Sequence, residues 1–320
     1  MKRITLLFMI LAFTSIGYSC NASNQDSPGV KKTIEAPLLL GDPYILCDGD
    51  RYYAYGTSAD NGIIVYTSDD LKEWEKKGLA LNKQDVWGDR WFWAPEVYHI
   101  DNKYYMYYSA NEHICVATSD SPLGPFKQEI KKPILEEEKS IDNSLFIDDD
   151  GTPYLFFVRF NDGNNIWVAE MEKDLCTMKK ETMHHCISVS QSWEKIWPRV
   201  TEGPFVIKHN NVYYMTYSAN NYQSPEYGVG CCTAKSIMGE WTKYNENPIL
   251  QSPKGLVGVG HHSLFNDKQG NKRIVFHSHN SIDKIHPRVL HIGTYSFEKV
   301  NGTDRMRISD KYETPTLLSK

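Results

Sequence analysis

Cross-links are scarce in this chain. Its 320 residues include seven cysteines, with no CxxC pair and no histidine partner at zinc spacing. Neither a structural zinc site nor a dense disulfide framework is indicated. Cys47, Cys115, Cys176, Cys186, Cys231 and Cys232 read as free thiols used as small hydrophobes. The adjacent Cys231 and Cys232 lie in an apparent strand, so they point to opposite faces. There is no long basic run and the net charge is −5, which leaves no footprint for nucleic acid. Beyond the N-terminus nothing reads as a long amphipathic helix. The apolar run from Ile4 to Phe13 is too short for a good membrane span.

What is present begins with that run. Lys2 and Arg3 precede it, and Gly17-Tyr-Ser-Cys20 follows. This is the layout of a secretory signal, so we read residues 1–19 as a signal peptide. The cysteine at the expected cleavage point resembles that of a bacterial lipoprotein, in which Cys20 is lipidated. Residues 20–35 then form a polar tether. The expected location is outside the cytoplasm, lipid-anchored to a bacterial membrane.

From about residue 36 onward a pattern repeats. Turn-forming residues lead into aromatic or β-branched strands at DGDRYYAYGTS, DNKYYMYYSA, DGTPYLFFVRF, HNNVYYMTYSAN and QGNKRIVFHSHN. These units recur every ~50–60 residues, and each has a strand before it (DPYILC, PEVYHI, DNSLFI, EGPFVI, HHSLFN) and further strands after it. About four short antiparallel strands per unit make a propeller blade. Residues 36–320 are therefore expected to form a single all-β domain, a five-bladed β-propeller. The stretch from Arg305 to Leu318 is expected to pair with the first blade.

The first strand of a blade is the one nearest the axis, so its entrance can point into the central channel. Aligning the units puts Asp42, Glu96, Asp142, Glu202 and His261 in equivalent places. Four of these five are acids, and carboxylates crowded at a dry mouth raise one another's pKa. Folding gains nothing from that, whereas glycoside hydrolysis requires an acid and a base across one sugar.

The stretches LGDPYILCDGDRYYAYGTS, WAPEVYHIDNKYYMYYSA, SIDNSLFIDDDGTPYLFF, TEGPFVIKHNNVYYMTYS and GVGHHSLF resemble glycoside hydrolase family 43. The resemblance spans nearly all of residues 36–320. It implies a five-bladed propeller, an inverting mechanism, a pocket on the axis and no required organic cofactor. It also implies Asp42 as general base, Asp142 as the residue that tunes and orients the acid, and Glu202 as general acid. His261 matches a histidine deep on the axis that organises water or a structural calcium ion, and Arg288 matches an arginine that contacts sugar. The family often has Asn after that histidine; this chain has His262. Trp93 is expected to wall the sugar pocket. Trp193 and Trp197 are read either as a leaving-group subsite or as packing. Asp148-Asp149-Asp150-Gly151 lacks calcium-loop spacing and reads as a hairpin turn. His184, His185, His277 and His279 supply no set of three metal ligands at suitable spacing.

The expected partner is an oligo- or polysaccharide, and the expected state a monomer. The favoured activity is exo-acting release of a terminal α-L-arabinofuranosyl unit. A β-D-xylosidase or a galactan- or arabinan-active hydrolase comes next. A non-catalytic sugar-binding propeller is the reading from another class. A sucrose- or fructan-processing enzyme fits less well, because Gly41 stands where those carry Asn.

Overall fold

The computed structural model describes residues 36–196 and 199–318. The expected signal peptide, Cys20, the expected tether and Trp197 all lie outside the described residues. Five antiparallel sheets follow one another along the chain. Blade I contains Gly41–Asp48, Arg51–Thr57, Gly62–Ser68 and Glu73–Asn82. Blade II contains Trp93–Ile100, Lys103–Ala110 and His113–Ser119. Blade III contains Ser140–Ile147, Pro153–Phe160, Asn164–Glu170 and His184–Ile187. Blade IV contains Thr201–His209, Val212–Ala219, Gly228–Ala234 and Thr242–Lys243. Blade V contains Gly260–Asn266, Lys272–Ser278, Val289–Val300 and Thr303–Glu313. The first strand of each sheet is its inner edge and neighbours the first strands of the blades on either side, which closes the ring.

Blade II falls short of the expected four strands. Its outer edge is held by an isolated bridge between Thr118 and Lys127. The segment that follows carries Pro122, Pro125 and Pro133, which cannot donate to a ladder. The C-terminus also departs from expectation. Most of the stretch from Arg305 belongs to the outer strand of blade V. Only Thr316–Leu317 joins blade I, parallel to Glu73–Trp74, and Ala36–Pro37 pairs onto its other side.

The second strands explain why the blades pack. Aromatic residues on both of their faces meet the neighbouring sheets. Tyr55, Tyr107, Tyr108, Phe156, Phe157, Tyr214, Tyr217 and Phe276 are all essentially inaccessible to solvent. Each such side chain contributes about 1.5–3 kcal/mol by leaving water. The resulting apolar clusters lie between adjacent blades, so the ring is stabilised by its circumference while its axis stays free for polar groups. The six cysteines among the described residues are free thiols, and Cys231 and Cys232 are both buried.

Candidate active site

Each inner strand enters the ring through the same irregularity. Its pairing with the second strand slips between Gly41 and Tyr44, Trp93 and Glu96, Ile141 and Ser144, Glu202 and Phe205, and Gly260 and Ser263. The bulged residues Asp42, Ala94, Asp142, Gly203 and His261 all have positive φ, between 40° and 54°. Four of these are not glycine, and that conformation costs them roughly 1–3 kcal/mol each. A bulge of this kind re-aims the side chain it carries.

This register corrects the sequence alignment. The equivalent set is Asp42, Ala94, Asp142, Gly203 and His261. Glu202 stands one place earlier, level with Gly41, and Glu96 two places beyond Ala94, level with Tyr44. Glu202 nevertheless reaches the same cavity as the two aspartates. That cavity measures about 300 Å³ and is lined by Asp42, Asp142, Glu202, His261, Arg288 and Trp93. Glu96 instead lines a smaller adjoining void, which shares Asp42, Asp142 and His261 with the first and includes Asn143 and His262. Burial raises its pKa to about 8, against the opposing hydrogen bonds of Tyr98 and Ser144.

Asp42 is gripped from several sides. The Arg288 guanidinium forks onto it at 2.5 and 2.9 Å. Thr57 Oγ1 donates to its Oδ2 at 2.6 Å, and His261 Nδ1 stands 3.3 Å from its Oδ1. Burial alone would raise its pKa, but the charge and hydrogen bonds of the Arg288 guanidinium outweigh that and hold it far below the usual carboxylate range. Asp42 is therefore ionised. Gly41 makes the grip feasible: a Cβ there would lie 2.3 Å from the Arg288 guanidinium.

Asp142 and Glu202 behave in the opposite way. One ligating atom from each of Asp142, Glu202 and His261 lies within 4.8 Å of the other two. Burial, then the charges of Glu202 and Asp42, push Asp142 well above its ordinary value. Burial raises Glu202 to about 7, with Tyr227 opposing and Asp42 reinforcing. The pair holds a proton at neutral pH. Asp142 Oδ2 accepts the Gly203 N–H at 3.2 Å. Glu202 accepts from the Tyr227 hydroxyl at 2.9 Å and from Asn164 Nδ2 at 3.2 Å. Tyr227 is fully buried and stacks on the His277 ring. Burial lowers the pKa of His261, so the imidazole between Asp42 and Asp142 is neutral.

The Asp142, Glu202 and His261 cluster does not fit calcium. That ion takes six to eight oxygen ligands. The cluster supplies two carboxylates, both already hydrogen-bonded within the protein, and one imidazole nitrogen. We route no chemistry through a metal here.

The aromatic candidates divide. Trp93 faces the cavity and stacks on Trp91, with ring centroids 5.6 Å apart. Trp193 packs inside blade IV against Tyr217 and over Gly230. The Asp148 side chain is tied to Lys208 and Tyr213 at 2.7 and 2.6 Å, at a hairpin turn. Sequence reasoning missed Thr57, Asn164 and Tyr227, and it considered His277 only as a metal ligand. Thr57 and His277 lie opposite the inner-strand entrances in the second strands. A search of those positions would have found them. Asn164 and Tyr227 come from loop junctions with no sequence signal.

The comparisons agree with this geometry. The family model "Glycosyl hydrolases family 43" matches residues 36–309. A beta-D-galactofuranosidase of Aspergillus niger is 26% identical over 75% of this chain and 74% of its own length. An extracellular exo-alpha-(1->5)-L-arabinofuranosidase of Streptomyces avermitilis is 26% identical over 88% of this chain and 63% of its own length. A solved structure described as an endo-1,4-beta-xylanase of Bacteroides thetaiotaomicron VPI-5482 is 48% identical. It covers 90% of this chain and 100% of that one, with a TM-score of 0.86. Fold and pocket together define a propeller glycosidase. The chain belongs to glycosyl hydrolase family 43, an inverting family, and this sets aside the purely sugar-binding reading.

Proposed function

We propose that the protein is an exo-acting enzyme that releases a terminal pentose, foremost α-L-arabinofuranosyl, from plant-type polysaccharides. In this scheme Glu202 protonates the glycosidic oxygen while Asp42 takes a proton from the attacking water. Asp142 orients Glu202 and helps keep it protonated. Trp93 packs against the apolar face of the sugar, while Arg288 and His261 line its polar side. One observation carries the assignment. Within one cavity, one carboxylate is gripped by a guanidinium fork while two others stand close together, their pKa values raised by burial and by neighbouring carboxylates. Inversion needs this division of labour between base and acid. No organic cofactor enters the scheme.

A β-D-xylosyl substrate is the second reading. It is favoured by the description of the 48% identical structure as a xylanase. We also propose that the chain is exported and tethered by lipid at Cys20, acting as a monomer. The N-terminal signal pattern supports this, and the arabinofuranosidase relative is named extracellular.

The test is a panel of aryl arabinofuranosides, xylosides and galactosides, assayed alongside natural glycans with Glu202→Gln as control. General acid catalysis contributes about 10²–10⁴-fold. Glu202→Gln should lose activity on that scale on glycans, and much less on substrates with good leaving groups. Equal losses on both would reject Glu202 as the acid. Early-time product NMR should show the inverted anomer first; retention would remove Asp42 from the base role.

A further inference from the structure

The bulged residues form a second pattern, running from blade to blade. In four of the five blades the second-strand residue opposite the inner-strand entrance takes the bulge N–H of the next blade. Thr57 Oγ1 accepts Ala94 N–H at 3.1 Å, and Ser109 Oγ accepts Asp142 N–H at 3.1 Å. Ser218 Oγ accepts His261 N–H at 2.8 Å, and His277 Nδ1 accepts Asp42 N–H at 3.1 Å. Thr57, Ser109, Ser218 and His277 are register equivalents, paired with Gly41, Trp93, Glu202 and Gly260. The fifth equivalent, paired with Ile141, is Val158. It is fully buried and has no acceptor. The N–H it would have taken belongs to Gly203, and that N–H goes to Asp142 Oδ2 at 3.2 Å instead.

We infer that Val158 is a positioning residue. By withholding an acceptor, it leaves the Gly203 N–H to the Asp142 carboxylate and ties that carboxylate to the strand that carries Glu202. A buried N–H must find a partner, so the gap in the side-chain ring fixes where Asp142 points. Glu202, Asp42, His261, Arg288 and Tyr227 are the charged or titratable groups facing that carboxylate. None of them is altered by changing Val158.

This inference rests on the acid and base reading above, but its test separates the two. Val158→Ser and Val158→Ala remove similar volume and differ by one hydroxyl. Serine restores the acceptor that blades II and IV possess. In Val158→Ser the Gly203 N–H should move to the new hydroxyl, and Asp142, losing a donor to its charged form, should hold a proton more firmly. Glu202 should then be ionised more often. The alkaline limb of kcat/KM should fall by about one pH unit, and activity at neutral pH, where the wild-type limb lies, by about fivefold. Val158→Ala should keep the wild-type limb, whatever stability it loses. The Gly203 amide resonance gives a readout without turnover. It should track carboxylate titration in the wild type and in Val158→Ala, and lose that dependence in Val158→Ser. Identical pH profiles and identical Gly203 titrations in the two variants would overturn the inference, even if the enzyme proved fully active. An inactive wild type whose Gly203 amide still separated the variants would instead reject the catalytic reading alone.

Discussion

Asp42 and Asp142 occupy the same bulge position on different blades, with the same left-handed backbone. Their protonation nevertheless differs, because their neighbours differ. Asp42 meets a guanidinium fork, whereas Asp142 meets a second carboxylate. Burial penalises charge at both sites, and the neighbour decides which side wins. The same logic applies to Glu202 and Tyr227. The phenol donates to Glu202 and so favours its charged form. Removing that donor in Tyr227→Phe should raise the Glu202 pKa. A hydrogen bond to a charged group is worth about 1.5–3 kcal/mol, which sets a shift of about one to two units. The alkaline limb of kcat/KM, expected near 7 in the wild type, should move upward by that amount on substrates that need protonation. A limb that stays in place in Tyr227→Phe would mean that some other group sets it.

Elements were legible where the sequence carries periodic side chains. Aromatic residues in DNKYYMYYSA or HNNVYYMTYSAN alternate through a second strand, and that pattern betrayed every blade. Slips in strand pairing leave no comparable trace. The slip is common to all five blades, but the acids stand at different positions about it, so matching them by residue type puts Glu202 and Glu96 level with residues they do not match. Asp42, Asp142 and Glu202 were found because acids beside Pro, Asn and Gly stand out at strand entrances. Tyr227 and Asn164 reach Glu202 only through the fold, as its hydrogen-bond donors. Gly41 belongs to this scale too, since it lets the blade I entrance lie against a side chain from blade V. Gly41→Ala would put a methyl group 2.3 Å from the Arg288 guanidinium, and the fork on Asp42 should open. Asp42 would then keep its burial penalty without its counter-charge. The acid limb of kcat/KM should rise towards the ordinary carboxylate range, with the protein still folded by circular dichroism. An unmoved acid limb would show that the fork is not what ionises Asp42.

At the scale of the whole molecule, the ring brings Asp42, Asp142 and Glu202 together from blades I, III and IV. Apolar contact between blades stabilises that assembly, and the carboxylates on the axis oppose it. The opposition has a definite pH dependence. Glu202 titrates near its ordinary 4.5 when unfolded and at about 7 when folded. Between those values the folded protein binds more protons than the unfolded chain, so stability falls as pH rises through that window. Above about 7 the loss is complete, and a shift of this size corresponds to roughly 3 kcal/mol. Glu202→Gln carries no titrating group and escapes that loss. It should melt a few degrees higher than the wild type at pH 8, given the unfolding entropy of a domain this large. The gap should shrink towards pH 5, where wild-type Glu202 is protonated when folded. Asp42 contributes with the opposite sign, because its folded pKa is depressed; its stabilisation fades only as pH falls below the ordinary aspartate range. Thermal melts of the two proteins at pH 5 and pH 8 decide the matter. Equal melting temperatures at pH 8 would mean that Glu202 titrates normally in the folded protein and that the axis exacts no electrostatic cost there.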